Sequence, residues 1–152
     1  METQHIITQP SLTLVRQFNA SPERVWHAWT DKEAAKIWTR PGEGFTIPLI
    51  EGDLKVGGRF RIVMRPPDGK EFDASGVYRE IVPNQRLVYT WVWSQTPERE
   101  SLITITLRAA QGGTELTLTH ERLFDELDVK NHTGGWSNVL DTFGRVLAQP
   151  GR

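Results

Sequence analysis

The stretch DELDVKNHTGGWSNVLDTFGRVLAQ, Asp125 to Gln149, decides the fold. Its residues Val129, Trp136, Leu140, Phe143 and Leu147 recur at spacings of three, four or seven, with His132 on the same stripe. That is the period of a helix that buries one face. About 24 residues at 1.5 Å each would reach roughly 36 Å, enough to cross a sheet. Gly134 and Gly135 interrupt the pattern directly before Trp136. An interior glycine costs a helix about 1 kcal/mol against alanine. The helix therefore either fails there or gains from absent side chains, by close backbone approach or open space beside it.

Upstream of this helix the chain reads as strands. Phe45 to Glu51, Gly58 to Arg65, Phe72 to Val82, Arg86 to Trp93, Ser101 to Arg108 and Thr114 to Glu121 alternate or are rich in β-branched and aromatic residues. Turn signals bound them at Gly57-Gly58, Pro66-Pro67-Asp68-Gly69, Pro83-Asn84, Thr96-Pro97 and Gly112-Gly113. Connections this short favour antiparallel neighbours. Before them, Leu12, Leu14 and Phe18 mark a first strand over Ser11 to Phe18. Ser21, Pro22 and Glu23 then start a short helix with Val25, Trp26 and Trp29 on its apolar face. Asp31 caps a second short helix that ends near Trp38, before Pro41 and Gly42. Residues 1–10 lack periodicity and are expected to form a flexible N-terminal arm, leaving 11–149 as one domain. No repeat, low-complexity segment or linker divides it.

Composition narrows the function. A length of 152 residues suits one domain able to bury roughly two thirds of its unfolded surface. Cysteine is absent, which removes disulfides, thiolate metal sites and thiol nucleophiles. No signal sequence and no run of about 20 apolar residues is present, so a soluble, cytoplasmic protein without a membrane span is expected. A net charge of -1 without long runs of one sign removes the electrostatic footprint of nucleic-acid binding. Six tryptophans are the compositional outlier, and such residues fill a large core or line an apolar pocket.

The segment Phe18-Asn19-Ala20-Ser21-Pro22-Glu23-Arg24-Val25-Trp26, followed by Ala28-Trp29-Thr30-Asp31 and Trp38, resembles the opening of START-like proteins of the SRPBCC superfamily. Gly57-Gly58-Arg59-Phe60, Gly76-Val77-Tyr78-Arg79-Glu80-Ile81, Arg86-Leu87-Val88-Tyr89-Thr90-Trp91, Gly113-Thr114-Glu115-Leu116-Thr117-Leu118-Thr119-His120 and His132 through Gly135-Trp136 resemble the branch related to the activator of Hsp-90 ATPase. In order they span Leu12 to Leu147, and they are specific for fold rather than function. The resemblance implies an α+β helix-grip (START/Bet v-like) fold. In it a curved antiparallel sheet wraps the long C-terminal helix, two short helices follow the first strand, and a cavity between sheet and helix often takes an apolar small molecule. The family includes lipid carriers, polyketide cyclases, resistance proteins and co-chaperones, so fold does not choose the function.

The residues themselves also point to a pocket. Alternation places Phe60, Ile62 and Met64, then Leu87, Tyr89 and Trp91, then Ile103, Ile105 and Leu107, then Leu116, Leu118 and His120 on the inner face. The candidate ligand-binding set is Trp38, Phe60, Ile62, Met64, Tyr78, Tyr89, Trp91, Ile105, Leu118, His120, His132, Gly135, Trp136, Leu140 and Phe143. His120 and His132 are the candidate acid and base, and the competing reading is a pair of structural histidines with satisfied hydrogen bonds. Glu121 falls on the opposite face from His120, so no metal site is expected, and nothing calls for a cofactor. Arg61 faces outward, Trp26 and Trp29 read as core, and Trp93 as rim or surface.

No phosphate loop, His-Glu-x-x-His or Gly-x-Ser-x-Gly elbow is present. The preferred expectation is therefore a binding module for a small hydrophobic or aromatic ligand. The alternatives are a cyclase or hydrolase acting on a polyketide-like substrate, and a chaperone-interacting protein.

Overall fold

The computed structural model describes residues 9–149. Strand β1 (Leu12–Phe18) leads to helices α1 (Pro22–Thr30) and α2 (Lys32–Trp38). Six strands follow, β2 (Thr46–Gly52), β3 (Arg59–Arg65), β4 (Phe72–Val82), β5 (Arg86–Trp93), β6 (Ser101–Ala110) and β7 (Gly113–Glu121). Helix α3 (Glu126–Leu147) closes the order, which is the one the sequence pattern requires. Of the arm expected over 1–10, residues 1–8 lie outside the described residues. Pro10 is held in place, its carbonyl accepting from the Leu123 N–H at 3.0 Å.

Side-chain oxygens start all three helices. Ser21 accepts from the Arg24 N–H, Asp31 from Ala34 and Asp125 from Asp128. Each such cap contributes about 1 kcal/mol by satisfying a donor that the first helical turn leaves free. Asp31 serves twice, because its own N–H also closes α1 on the His27 carbonyl. That shared residue forces α2 to turn away from α1 at once.

The strands form one antiparallel sheet in the order β1-β7-β6-β5-β4-β3-β2. From β2 to β7 each strand pairs with the next, as short turns dictate, and β1 adds to the free edge of β7 with Leu12 opposite His120. The hairpin between β6 and β7 is tighter than its Gly112-Gly113 signal suggests. Gln111 and Gly112 carry the positive φ angles, 52° and 77°, so Gly113 already belongs to β7, opposite Ala110. A two-residue turn with both φ positive follows the natural twist of the strands. Between Tyr78 and Glu80 the register of β4 on β5 shifts, an irregularity of the kind that bends a strand and strengthens sheet twist.

Helix α3 crosses the concave face of this curved sheet. It runs unbroken through Gly134 and Gly135, and only its second half lies tightly on the core. Leu140 and Phe143 are fully buried there. The Phe143 ring meets Phe18, Trp29 and Trp38 edge-on, with centroids 5.3, 5.0 and 5.2 Å away. Beneath them lie the buried inner rows of β6 and β7, including Ile103, Ile105, Leu116 and Leu118. Trp29 stacks on Trp38 at 4.3 Å, so α1 and α2 are fastened to each other and to α3 by one aromatic cluster. No helix among the described residues is long and apolar enough to cross a membrane.

Candidate functional site

Beneath the first half of α3 the helix and sheet touch only in part, through His132 on Trp93 and His120. A cavity of about 390 Å³ separates them, within the size range of small-molecule sites. Helix α3 contributes Asp128, Asn131, His132, Gly135, Trp136 and Val139; the sheet contributes Met64, Phe72, Asp73, Trp91 and Trp93. Thr39, Pro41 and Phe45, from the segment after α2, and residues 94–96, from the turn after β5, complete the wall. A smaller chamber of about 90 Å³ lies deeper, lined by residues that include Trp29, Trp38, Phe60, Ile62, Tyr78, Leu87 and Tyr89. Thr39, Trp91 and Trp136 border both spaces. Two larger grooves among the described residues are bordered by charged surface groups, Glu51, Asp53, Arg59 and Arg61 in one, Arg16, Arg24 and Asp141 in the other.

The two interior glycines have different surroundings. A Cβ added at Gly134 meets nothing within 4 Å, whereas one at Gly135 lies 3.4 Å from Pro41 Cβ. Gly135 also lines the main cavity. A Cβ there would make only ordinary van der Waals contact with Pro41, so the gain from an absent side chain at Gly135 is the open space of the cavity. Gly134 is exposed and borders neither space.

The aromatic wall is ordered by its polar edges. Trp136 donates its indole N–H to His120 Nδ1 at 3.0 Å, which leaves the proton of that ring on Nε2. His120 Nε2 donates in turn to Ser101 Oγ at 2.7 Å, and the Ser101 hydroxyl donates to the Trp91 carbonyl at 3.2 Å. Both nitrogens of His120 are thus engaged, and the ring is fully buried. Burial, with a smaller contribution from neighbouring His132, pulls its pKa down to about 3. His132 has the opposite tautomer. Its Nε2 accepts from the Trp93 indole at 3.1 Å, so Nδ1 carries the proton and donates to the Asp128 carbonyl at 2.9 Å. The Asp128 carboxylate lies 3.2 Å from the same nitrogen. The two imidazoles touch edge to face at 4.8 Å.

This geometry divides the expected site residues. Met64, Trp91, His132, Gly135 and Trp136 line the main cavity, and Trp38, Phe60, Ile62, Tyr78 and Tyr89 line the deeper chamber together with Trp91 and Trp136. Ile105, Leu118, His120, Leu140 and Phe143 border neither space. They were expected there because they share the inward stripe and the inward strand faces. The second half of α3 lies directly on the sheet, so that part of the stripe is filled by side chains. His120 sits behind Trp136 with no nitrogen free, which fits a structural histidine rather than an acid or base facing a ligand. His132 does line the cavity, and proton transfer through its Nε2 would require the Trp93 hydrogen bond to be given up.

Other expectations resolve locally. Arg61 faces outward and grips Asp73 through two nitrogens at 2.7 to 3.2 Å, a hydrogen bond that lowers the Asp73 pKa. Burial raises the pKa of Tyr78. Burial also raises that of Tyr89, reinforced by Tyr78 and opposed by a hydrogen bond with Trp29, so both phenols stay neutral. Among the described residues no three His, Cys, Asp or Glu side chains are grouped to hold a metal ion. Sequence reasoning missed Thr39, Pro41, Phe45 and residues 94–96, since loop residues carry no periodicity, and it missed Phe72, which begins β4 opposite the inward Met64. Trp93 shares parity with Trp91, and that was the available signal for its place in the wall.

Comparison with known proteins bears on this architecture. Residues 19–148 match the family model described as Activator of Hsp90 ATPase homolog 1-like protein. The chain belongs to this family. Among curated proteins none matches the chain. A solved structure from Chromobacterium violaceum is 30% identical over 90% of this chain and 96% of its own, with a TM-score of 0.82. The AHSA1 protein from Silicibacter pomeroyi is 28% identical over 91% of this chain and 98% of its own, with a TM-score of 0.80. A Mycobacterium smegmatis structure at 17% identity, with a TM-score of 0.77, shares the fold alone. The helix-grip architecture is therefore that of AHSA1-like proteins within the SRPBCC superfamily.

Proposed function

We propose that this AHSA1-like protein binds a small, largely apolar or aromatic molecule in the cavity between the sheet and the first half of α3. One observation carries the reading. Helix α3 stays continuous across two glycines, and the space beside it and the sheet is walled by Phe45, Met64, Phe72, Trp91, Trp93 and Trp136. Apolar surface removed from water there contributes about 25 cal/mol per Å². A ligand that covers a few of those rings would gain several kcal/mol before the costs of association.

Fluorescence titration with N-phenylnaphthylamine, an uncharged probe that brightens in apolar surroundings, tests this directly. Saturable brightening at one site per chain, with a matching rise in melting temperature, is the expected result. A probe that stays dark at concentrations well above those of ordinary apolar binders would count against the reading.

A further inference from the structure

The walls of this cavity also specify the chemistry of what fills it. Trp91 and Thr39 are each only 6% exposed, and neither the Trp91 indole N–H nor the Thr39 hydroxyl has a hydrogen-bond partner within the protein. The neighbouring indoles are all engaged, Trp38 with the Ala28 carbonyl, Trp93 with His132 and Trp136 with His120. The residues that carry these groups border the main cavity and the deeper chamber at once, and each group is itself buried in the wall at the junction of the two spaces. An indole N–H can only donate, whereas a hydroxyl can donate or accept. A partner for Trp91 must therefore bring an acceptor.

Charge restricts that acceptor further. Among the residues lining the main cavity Asp73 and Asp128 are acidic and none is a lysine or arginine, while Lys32 and Glu51 border the smaller chamber. Asp73 is held ionised by Arg61, whose guanidinium is already committed to it. Arg40 follows Thr39 in the chain and its Nε is likewise buried without a partner, but its side chain lines neither space. An anion entering the main cavity would lose its hydration beside Asp128, with no lysine or arginine among the lining residues to pair with it.

We infer that the cavity selects an uncharged aromatic ligand bearing a carbonyl oxygen, which accepts hydrogen bonds from the Trp91 indole and the Thr39 hydroxyl, and discriminates against carboxylates such as fatty acids. This rests on the reading that the cavity holds a small molecule. It adds a neutral aryl ketone as the preferred chemistry and gives two residues a role in recognition.

Three probes matched in shape test it by displacing N-phenylnaphthylamine near neutral pH: acetylnaphthalene, ethylnaphthalene and naphthoate. The ketone should bind about tenfold more tightly than the hydrocarbon, the gain expected when buried donors find an acceptor. Naphthoate should be weaker than both. Thr39→Val keeps the shape and removes the hydroxyl, and Trp91→Phe removes the indole donor. Each should weaken the ketone about five- to tenfold beyond whatever change it causes in ethylnaphthalene, which reports the wall surface lost with the side chain. Reading both variants keeps the test open if one fails to fold. Displacement by all three probes with equal affinity, tightest binding by naphthoate, or variants that do not alter the ketone advantage would overturn the selectivity while leaving the cavity as a binding site. A wild-type protein that never takes up N-phenylnaphthylamine would overturn both readings.

Discussion

At the scale of single residues, His120 shows how a buried polar group can order the wall of a cavity without lining it. Its ring accepts from Trp136 and donates to Ser101, which fixes the indole plane that walls the cavity. The folded pKa is depressed from 6.5 to about 3, so the ring is neutral in folded and unfolded states above that upper value. As pH falls from 6.5 towards 3 the unfolded chain takes up a proton that the folded protein refuses. Stability is therefore lost across that window, by an amount on the order of a few kcal/mol. His120→Phe should cost about 2 kcal/mol near neutral pH, chiefly by leaving the Trp136 N–H without an acceptor. Denaturant titrations at several pH values should show the gap between variant and parent narrowing as pH falls, since the variant has no such proton to refuse. A gap that stays constant would mean that His120 does not govern this part of the acid response. The inward placement of His120 was legible from strand alternation. Its role was not, because periodicity says which face a residue occupies and nothing about what its two nitrogens meet.

At the scale of elements, α3 was readable in position and buried stripe, and it begins at Asp125 as the sequence indicated. The alternation of the strands likewise gave their order and inner faces. What remained hidden was that the helix has two halves with different tasks. Leu140 and Phe143 carry the same period as Trp136, yet they pack into the core, while Trp136 and Gly135 face the cavity. A stripe records the direction in which side chains point. It does not record how far away the opposing surface lies, and that distance is set by the curvature of the sheet and by loop residues such as Pro41 and Phe45.

The glycine pair offers a test within the same element. Gly134→Ala enters open space in mid-helix and should stabilise the protein by up to about 1 kcal/mol with unchanged probe binding. Gly135→Leu should push side-chain atoms into the cavity and against Pro41, lowering N-phenylnaphthylamine affinity at least tenfold. The melting temperatures of both variants and parallel probe titrations would check this. Full probe binding by a folded Gly135→Leu variant would show that the space beside this residue is not where the ligand sits.

At the scale of the whole molecule, the fold separates a packed core from a cavity. One end of the sheet and the second half of α3 form a packed aromatic and aliphatic core, through Phe18, Trp29, Trp38 and Phe143. The other end leaves a cavity whose walls come from α3, three strands and two loops, so ligand chemistry can change through a few residues without disturbing the core. Family membership accounts for the architecture. The unpartnered groups of Trp91 and Thr39 bear the specific part of the account.

The most direct measurement is an indole-region nitrogen-15 NMR titration with acetylnaphthalene, because the six tryptophans give separate reporters distributed over the fold. Trp91 should show the largest shift, displaced towards a hydrogen-bonded resonance position. Trp93 and Trp136 should follow through ring contact, and Trp26, which borders neither space, should stay fixed. An unmoved Trp91 indole at saturating ketone, or a response confined to Trp26, would contradict the account.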